Sequence, residues 1–249
     1  MIVGEVCYVI NVGDSRAVLS SESGHKACAL STDHKPWDFP ERKRIQEAGG
    51  QIYQTATVAS YGNEENQIPE IIIGPIRVFP GRLSVSRTFG DPEAKLQIKG
   101  GNPNVVVSTP EIKSFKIDQR HDFIILGWDG IFDKLSNREW VDWVWNSIYQ
   151  NPQLDVHQML GLGAEWIMKN ALNRRSLDNV TVVIIAFSGF KEVIKTLNEK
   201  WSIKQELEHT RYDHRNTSYN AINNKGQRSA SQNHVLSLSK GLLNHNTLM

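Results

Sequence analysis

The sequence has little cysteine and no dominant charge. Only two cysteines occur in 249 residues, Cys7 and Cys28, and both lie in strand-like apolar stretches where a cysteine behaves as a small buried hydrophobe. They do not amount to a disulfide framework. Lys and Arg number 28 against 27 Asp and Glu, so the formal net charge is +1 and no whole-molecule field would attract nucleic acid or an anionic membrane. Partners must therefore be recognised locally.

Targeting signals and nucleotide-binding motifs are also missing. The N-terminus has no basic stretch, and Glu5 interrupts its apolar residues, so it does not resemble a secretory signal. No apolar stretch approaches the ~20 residues that span a bilayer. Gly161-Leu162-Gly163 lacks the third glycine and the preceding strand of a dinucleotide fingerprint, and no P-loop pattern occurs. We therefore expect an intracellular protein, cytoplasmic or nuclear, with neither a membrane nor a nucleic-acid partner.

The first half of the chain is patterned mainly as strands. Short β-rich runs separated by turn residues predict antiparallel hairpins. Pro40 opens a helix that continues through Glu47 and stops at two glycines. The polar residues 57–67 are interpreted as a surface loop. The predicted strands of this half cover residues 6–12, 16–19, 26–30, 51–53, 70–73 and 104–107.

The second half places helices among the last strands. Strands are predicted over residues 111–117 and 123–126, and the near-continuous apolar run 180–187 suits a buried strand. Ser136 with Glu139 forms a capping box that starts a helix reaching about Ser147. A longer helix is expected over residues 154–172. The capped helix has residues at helical spacing that are predicted to be core: Trp140, Val141, Val144 and Trp145.

The order of elements indicates an α+β layered domain followed by a different kind of segment. We expect residues 1–190 to form the domain and residues 191–249 to form a helical extension with a polar tail. From about Thr210 onward, Asn, Ser, Gln, Lys and His replace apolar residues, which leaves too little apolar surface to offset the entropy of ordering. The tail is therefore predicted to be disordered.

Six motifs follow one another at compatible spacing between residues 6 and 187. They are residues 11–19 (NVGDSRAVL), 30–36 (LSTDHKP), 41–50 (ERKRIQEAGG), 77–78 with 83–91 (RV and LSVSRTFGD), 123–133 (FIILGWDGIFD) and 177–182 (LDNVTV). In this order they resemble the C-terminal two-thirds of the catalytic domain of the PP2C (PPM-type) family, the metal-dependent protein serine/threonine phosphatases. The resemblance implies an α+β fold with two antiparallel β-sheets in a sandwich, helices flanking them, and a metal cluster at one end.

The resemblance also assigns metal ligands. Asp129 and Asp178 correspond to ligands of one of two core ions, and Asp14 and Asp133 match positions that hold a weaker third ion together with Asp129. Mg²⁺ or Mn²⁺ is expected, because hard ions prefer carboxylate oxygens and no cysteine or paired histidine competes. The implied reaction is hydrolysis of phosphoserine and phosphothreonine in phosphoprotein substrates by a monomer, in which a metal-activated water attacks phosphorus.

The same residues have plainer interpretations without the resemblance. Asp-Gly and Asp-Asn are ordinary turn dipeptides, and the Gly-Asp-Ser around Asp14 is a good hairpin turn. His34 is a lone histidine, which is more often a surface or packing residue than a ligand. Arg82 and Arg87 could meet phosphate through the guanidinium fork, but a structural salt bridge is the more common outcome. No role is assigned to these three residues.

Three features of the family are absent from this sequence. They are an Arg and a Glu-Asp pair on an early strand, and an Asp-Gly-His-Gly-Gly turn that precedes the Asp14 hairpin. In the family the Arg binds the substrate phosphate, the Glu of the pair is a ligand of the second ion, and the Asp of the turn bridges both ions. We therefore expect a domain incomplete at the N-terminus, with unpaired sheet edges and an uncovered apolar face, that shows little or no activity alone. The open alternatives are a truncated fragment of an active phosphatase and a catalytically inactive interaction module.

Overall fold

The computed structural model describes residues 1–61, 68–152 and 155–211. The expectations for residues 62–67 and for the polar tail beyond residue 211 lie outside the described residues. The chain divides into two compact units, Met1–Ile194 and Lys195–Met249, and residues 195–211 of the second are helical. Within the described ranges, no helix combines the length and the hydropathy needed to cross a membrane.

The first unit combines antiparallel strands with helices. Its strands are β1 (Ile2–Val3), β2 (Val6–Asn11), β3 (Arg16–Ser21), β4 (Lys26–Ala29), β5 (Gln51–Tyr61), β6 (Ile68–Phe79), β7 (Glu111–Lys116), β8 (His121–Gly127) and β9 (Val182–Ala186). Its helices include α1 (Phe39–Glu47), α2 (Pro92–Lys95), α3 (Asp129–Phe132), α4 (Asn137–Gln150) and α5 (Val156–Asn173), and residues 188–194 are also helical. One sheet has the order β1-β2-β7, another has the order β4-β3-β8-β9, and β5 with β6 forms a separate ribbon.

The two larger sheets pack face to face, as the predicted sandwich requires. Side chains alternate along a strand, so each sheet presents one apolar row to the other. One cluster joins Cys7 and Val9 of β2 to Ala17 and Leu19 of β3 and to Ile124 of β8. The sandwich of antiparallel sheets is therefore confirmed.

The other face of the four-stranded sheet packs against α4. The predicted capping box is present: the Ser136 hydroxyl accepts the Glu139 N–H, and the Glu139 carboxylate accepts the Ser136 N–H. The predicted core face of the helix is buried. Trp145 stacks near Phe123 of β8 with ring centroids 6.0 Å apart, and its indole N–H donates to the Ser20 hydroxyl at 3.0 Å. This helix therefore fixes the back of the sheet whose ends carry the candidate ligands.

Two predictions for the middle of the chain are wrong. Residues 57–61 form the end of β5 rather than a loop, because each pairs with a residue of β6, from Thr57 with Ile72 to Tyr61 with Ile68. Among the residues that the structure describes, residues 104–107 form no strand and make one isolated bridge, between Val107 and Arg87. Val105 and Val106 are buried because they pack with Ile45 and Val78. Their apolar pattern reflects burial in a turn rather than strand pairing.

Burial was also misjudged at two places. Strand β9 is an edge strand, and Val183 and Ile185 keep 47% and 38% of their surface exposed rather than buried. Cys28 is exposed, although Cys7 is buried as expected. Apolar side chains are also exposed on the outer face of the three-stranded sheet, where Ile10 pairs with Ile112. Within the described residues, the sandwich therefore has apolar surface that no further layer covers.

Candidate metal centre

The predicted ligands come from segments that leave the four-stranded sheet at one end. Asp14 lies in the turn before β3, and Asp129 is the first residue of α3, separated from the end of β8 by Trp128 alone. Asp178 precedes β9. Arg16 of β3 pairs with Gly127 of β8, and Gly127 pairs with Val182 of β9. The strand register therefore brings three segments that are far apart in sequence to one end of the sheet.

Electrostatics show that three of the carboxylates share one region. Partial burial raises the pKa of Asp129 above its ordinary value, and the negative charges of Asp14 and Asp178 raise that pKa further. Such repulsion between carboxylates is relieved when a cation binds among them. These three residues therefore have the donor type and the charge for a hard divalent ion.

The side chains do not form a closed ligand set. Within the described residues, no three His, Cys, Asp or Glu side chains lie close enough together to hold an ion. One oxygen of Asp129 accepts the Gly130 N–H at 2.9 Å, and one oxygen of Asp178 accepts the Asn179 N–H at 2.7 Å. The arrangement fits a divalent cation in donor chemistry, with further ligands needed to enclose it.

A glycine lets the Asp129 and Asp178 segments approach each other. A Cβ at Gly130 would lie 2.4 Å from the backbone oxygen of Asn179, closer than real Cβ atoms come to any atom. Gly130 follows Asp129, and Asn179 follows Asp178, so this contact holds together the two segments that carry the carboxylates. Any larger residue at position 130 would force the segments apart.

Asp133 occupies a neighbouring position rather than the centre of this group. It lies directly after α3, and its N–H donates to the Asp129 carbonyl at 3.0 Å. Its side chain is exposed and lines an open cleft of about 520 Å³ together with Asp33, Lys35 and Asp38. Its part in a third ion site stays a prediction.

The Asp14 turn is held by two residues of the following loop. The Lys35 ammonium forms an ion pair with the Asp14 carboxylate, and both side chains are largely buried. The Gly13 N–H donates to Nδ1 of His34 at 3.1 Å, and the His34 N–H donates to the Gly13 carbonyl at 3.0 Å. Burial lowers the pKa of His34, and the positive charge of Arg87 lowers it further. His34 is thus a neutral packing residue that fixes the turn.

Lys35 is a residue that sequence reasoning missed. Its only signal was its place between a histidine and a proline in the 30–36 motif, and nothing in that pattern indicates a partner. The contact with Asp14 bridges 21 residues and depends on the loop folding back over the turn. A positive charge therefore already lies against the acidic group.

A buried ionic network connects this region to α1. Glu41 accepts hydrogen bonds from the guanidinium groups of Arg44 and Arg87 and from the Ser86 hydroxyl. Burial alone would raise the pKa of Glu41, but these donors outweigh it and lower the pKa to about 2. The Ser86 N–H in turn donates to the His34 carbonyl at 2.9 Å. Arg87 is therefore a structural ion-pair residue.

Comparisons with known proteins show what this chain is similar to. A family model described as "Protein phosphatase 2C" matches residues 1–180. The chain is 35% identical over 187 residues to "Probable protein phosphatase 2C 59" of Arabidopsis thaliana, covering 75% of this chain and 48% of that protein. It is 30% identical over 202 residues to "Protein phosphatase 1B" of Rattus norvegicus, covering 81% of this chain and 43% of that protein. The chain thus spans about half the length of the curated relatives it matches.

Solved structures give the same result for the fold. A crystal structure of a phosphatase from a pathogenic strain of Toxoplasma gondii superposes with a TM-score of 0.53 at 26% identity, over 74% of this chain and 48% of that one. The structure of a sex-determining protein of C. elegans superposes with a TM-score of 0.57 at 23% identity, over 78% of this chain and 40% of that one. The second likeness concerns the fold alone.

Proposed function

This chain belongs to the protein phosphatase 2C family, and on that premise we propose that it is part of an enzyme that hydrolyses phosphoserine and phosphothreonine in proteins with Mg²⁺ or Mn²⁺. The observation that carries the proposal is the gathering of Asp14, Asp129 and Asp178 at one end of the four-stranded sheet, where two of them raise the pKa of the third. A protein that only bound partners would gain nothing from this repulsion.

The chain's own residues would hold and orient the ion. In the proposal, Asp129 and Asp178 bind a core ion through carboxylate oxygens, and the close approach of Gly130 to the Asn179 backbone keeps the two segments that carry them together. A bound divalent ion would make water a stronger nucleophile and neutralise charge on the phosphoryl oxygens. Asp14, held by Lys35, adds negative charge beside Asp129. A weaker ion shared by Asp14, Asp129 and Asp133 is part of the proposal.

The alternative of an inactive phosphatase-like module is less well supported. The curated relatives reported above carry the name protein phosphatase, and Asp129 and Asp178, which the resemblance assigns to one core ion, are both present in this chain. The chain spans about half of those relatives, and the family's Asp-Gly-His-Gly-Gly turn does not occur in it. Activity is therefore proposed for the protein that includes these missing features.

The test is phosphate release from a phosphothreonine peptide. Two polypeptides are compared: the 249-residue chain, and an extended form in which a segment that carries the Asp-Gly-His-Gly-Gly turn, the early Arg and the Glu-Asp pair is joined in front of Met1. We expect the extended form to release phosphate with Mn²⁺ or Mg²⁺ and not with EDTA, and the chain alone to show little or no turnover. Asp129→Asn should abolish turnover, whereas Asp118→Asn, a charge-matched control on an exposed turn, should retain it. Turnover by Asp129→Asn would refute the proposal.

A further inference from the structure

An open cleft of about 670 Å³ lies at the base of the β5–β6 ribbon. It is lined by Gln51, Tyr53, Thr55, Arg77, Phe79 and Arg82. The strand register explains its composition, because Gln51 pairs with Phe79 and Tyr53 pairs with Arg77, so these side chains share one face of the ribbon. Two aromatic rings and two guanidinium groups are thereby brought to one concave surface.

The cleft has positive charge without a counter-charge. None of its lining residues is acidic, and within the described residues neither Arg77 nor Arg82 has a carboxylate within ion-pair distance. Arg16, Arg44 and Arg87, by contrast, each pair with Asp or Glu. One amino group of Arg77 donates to the Arg82 carbonyl at 2.7 Å, which fixes the guanidinium and leaves its other N–H groups available.

The backbone at Arg82 supports a role for its side chain. Its φ is 58°, in the left-handed region that glycine and asparagine adopt most easily. Its N–H donates to the Val78 carbonyl at 2.8 Å and closes the turn, which any residue except proline could do. An arginine at this position therefore costs conformational energy that turn formation does not explain.

We propose that this cleft binds a second anionic group of the phosphoprotein substrate, a phosphate or a carboxylate beyond the phosphate that is hydrolysed. The inference rests on the proposed function and names a recognition site for its substrate. Arg77 and Arg82 supply the planar donor forks that suit such anions. Tyr53 and Phe79 supply apolar surface for the stem or ring that carries the anion.

The path of the chain limits the distance between this cleft and the acidic cluster. Arg82 and Arg87 are five residues apart, so their Cα atoms are separated by at most about 18 Å. The Arg87 carbonyl oxygen lies 3.6 Å from the position that a Cβ on Gly13 would occupy, and Gly13 precedes Asp14. With the steps from Arg87 to Gly13 and on to Asp14 included, the upper bound is on the order of 30 Å, so the second anion should lie within about nine residues of the hydrolysed phosphoresidue in an extended peptide.

The test measures binding separately from hydrolysis. Fluorescein-labelled peptides are titrated with the extended protein in EDTA, which prevents metal-dependent turnover, and affinity is read from anisotropy. The probes are a peptide with one phosphothreonine, the same peptide with a phosphoserine four residues away, and the same peptide with two glutamates at that place. The proteins are the wild type, Arg82→Gln, Arg77→Gln and a control for charge nearby, Arg42→Gln, whose arginine lines the adjoining cleft that shares Gln51 and Tyr53 with this one.

The expected result is selective loss. Arg82→Gln and Arg77→Gln should each lower the affinity for the doubly anionic peptides about tenfold, because a hydrogen-bonded charge contact is lost. Neither change should alter the affinity for the singly phosphorylated peptide. Arg42→Gln should change neither. If affinity falls for the diphosphorylated peptide alone, the anion is a phosphate. If affinity also falls for the glutamate peptide, the cleft accepts both phosphates and carboxylates. Equal losses in Arg82→Gln and Arg42→Gln, or equal losses for all peptides, would overturn the proposal.

Failure of this inference can be told apart from failure of the proposed function. If the extended protein hydrolyses phosphopeptides with Mn²⁺ but Arg82→Gln binds every peptide as the wild type does, the cleft proposal falls and the function stands. If no peptide is hydrolysed but Arg82→Gln binds the doubly anionic peptides less tightly than the wild type, the cleft proposal is supported and the proposed function is refuted.

Discussion

Replacing Glu41 with glutamine should destabilise the domain by roughly 3 kcal/mol at neutral pH. The pKa of Glu41 falls from its ordinary value of 4.5 to about 2 in the folded protein, and two and a half pH units correspond to roughly 3 kcal/mol. Removing one member of a buried ion pair gives a similar figure of about 3–5 kcal/mol, because Arg44 and Arg87 would keep their charge without its carboxylate. The side chain of Glu41 is only 5% exposed, so solvent screens the network weakly.

The pH dependence gives the sharper test. A carboxyl whose pKa is lowered by folding stabilises the protein above its unfolded pKa and loses that contribution as the pH falls through its folded pKa. The difference between wild type and Glu41→Gln should thus be full above about pH 5 and should disappear between pH 4.5 and about 2. Other carboxyls also titrate in acid, but they affect both proteins equally. Urea unfolding followed by tryptophan fluorescence at several pH values measures this difference.

A matched control separates the effect of burying a carboxylate from the effect of lowering its pKa. Hydrogen bonds from Arg120 lower the pKa of Asp118 to about 2 as well, yet Asp118 lies on an exposed turn. Asp118→Asn should therefore cost much less stability than Glu41→Gln, and added salt should reduce that small cost. A Glu41→Gln protein as stable as the wild type at pH 7, or an equal loss in both variants, would refute the argument that the buried network stabilises α1.

Three further predictions concern the site and its supports. Lys35→Met removes the cation that pairs with the acidic cluster, so Mn²⁺ affinity measured by calorimetry should rise severalfold; unchanged affinity would contradict this account. Gly130→Ala should cost about 1–3 kcal/mol in urea unfolding, because its Cβ meets the Asn179 carbonyl, whereas Gly161→Ala, which meets nothing, should not destabilise. Ser136→Ala should cost about 1 kcal/mol by removing the cap of α4, and an unchanged unfolding midpoint would count against the capping box.

The parts of the fold predicted from sequence are those with local signals. The capping box at Ser136 and the glycine stop after Glu47 act within a few residues, and both elements formed where expected. The end of β5 was missed because residues 57–61 are a strand only through pairing with β6, which local polarity does not show. Val105 and Val106 were predicted to lie in a strand but lie in a turn, because apolar residues buried in a turn have the same sequence pattern as a strand.

The candidate site was predicted through resemblance, and its supports were not. Asp129 and Asp178 are turn residues by local pattern, and only the register of β8 and β9 brings their segments together. The partners of Asp14 and Glu41 come from elsewhere in the chain, so single-sequence reasoning had no access to them. Arg82 and Arg87 had the same sequence signal. Arg87 is held in a buried network, whereas Arg82 lies at an open cleft.

The most direct test of the central claim is the position of a bound divalent ion. Crystals of the extended protein soaked in Mn²⁺ should show an anomalous density peak in contact with carboxylate oxygens of both Asp129 and Asp178, and the peak should be lost in Asp129→Asn. No peak at these residues, or carboxylates that face away from a common cavity, would contradict the account.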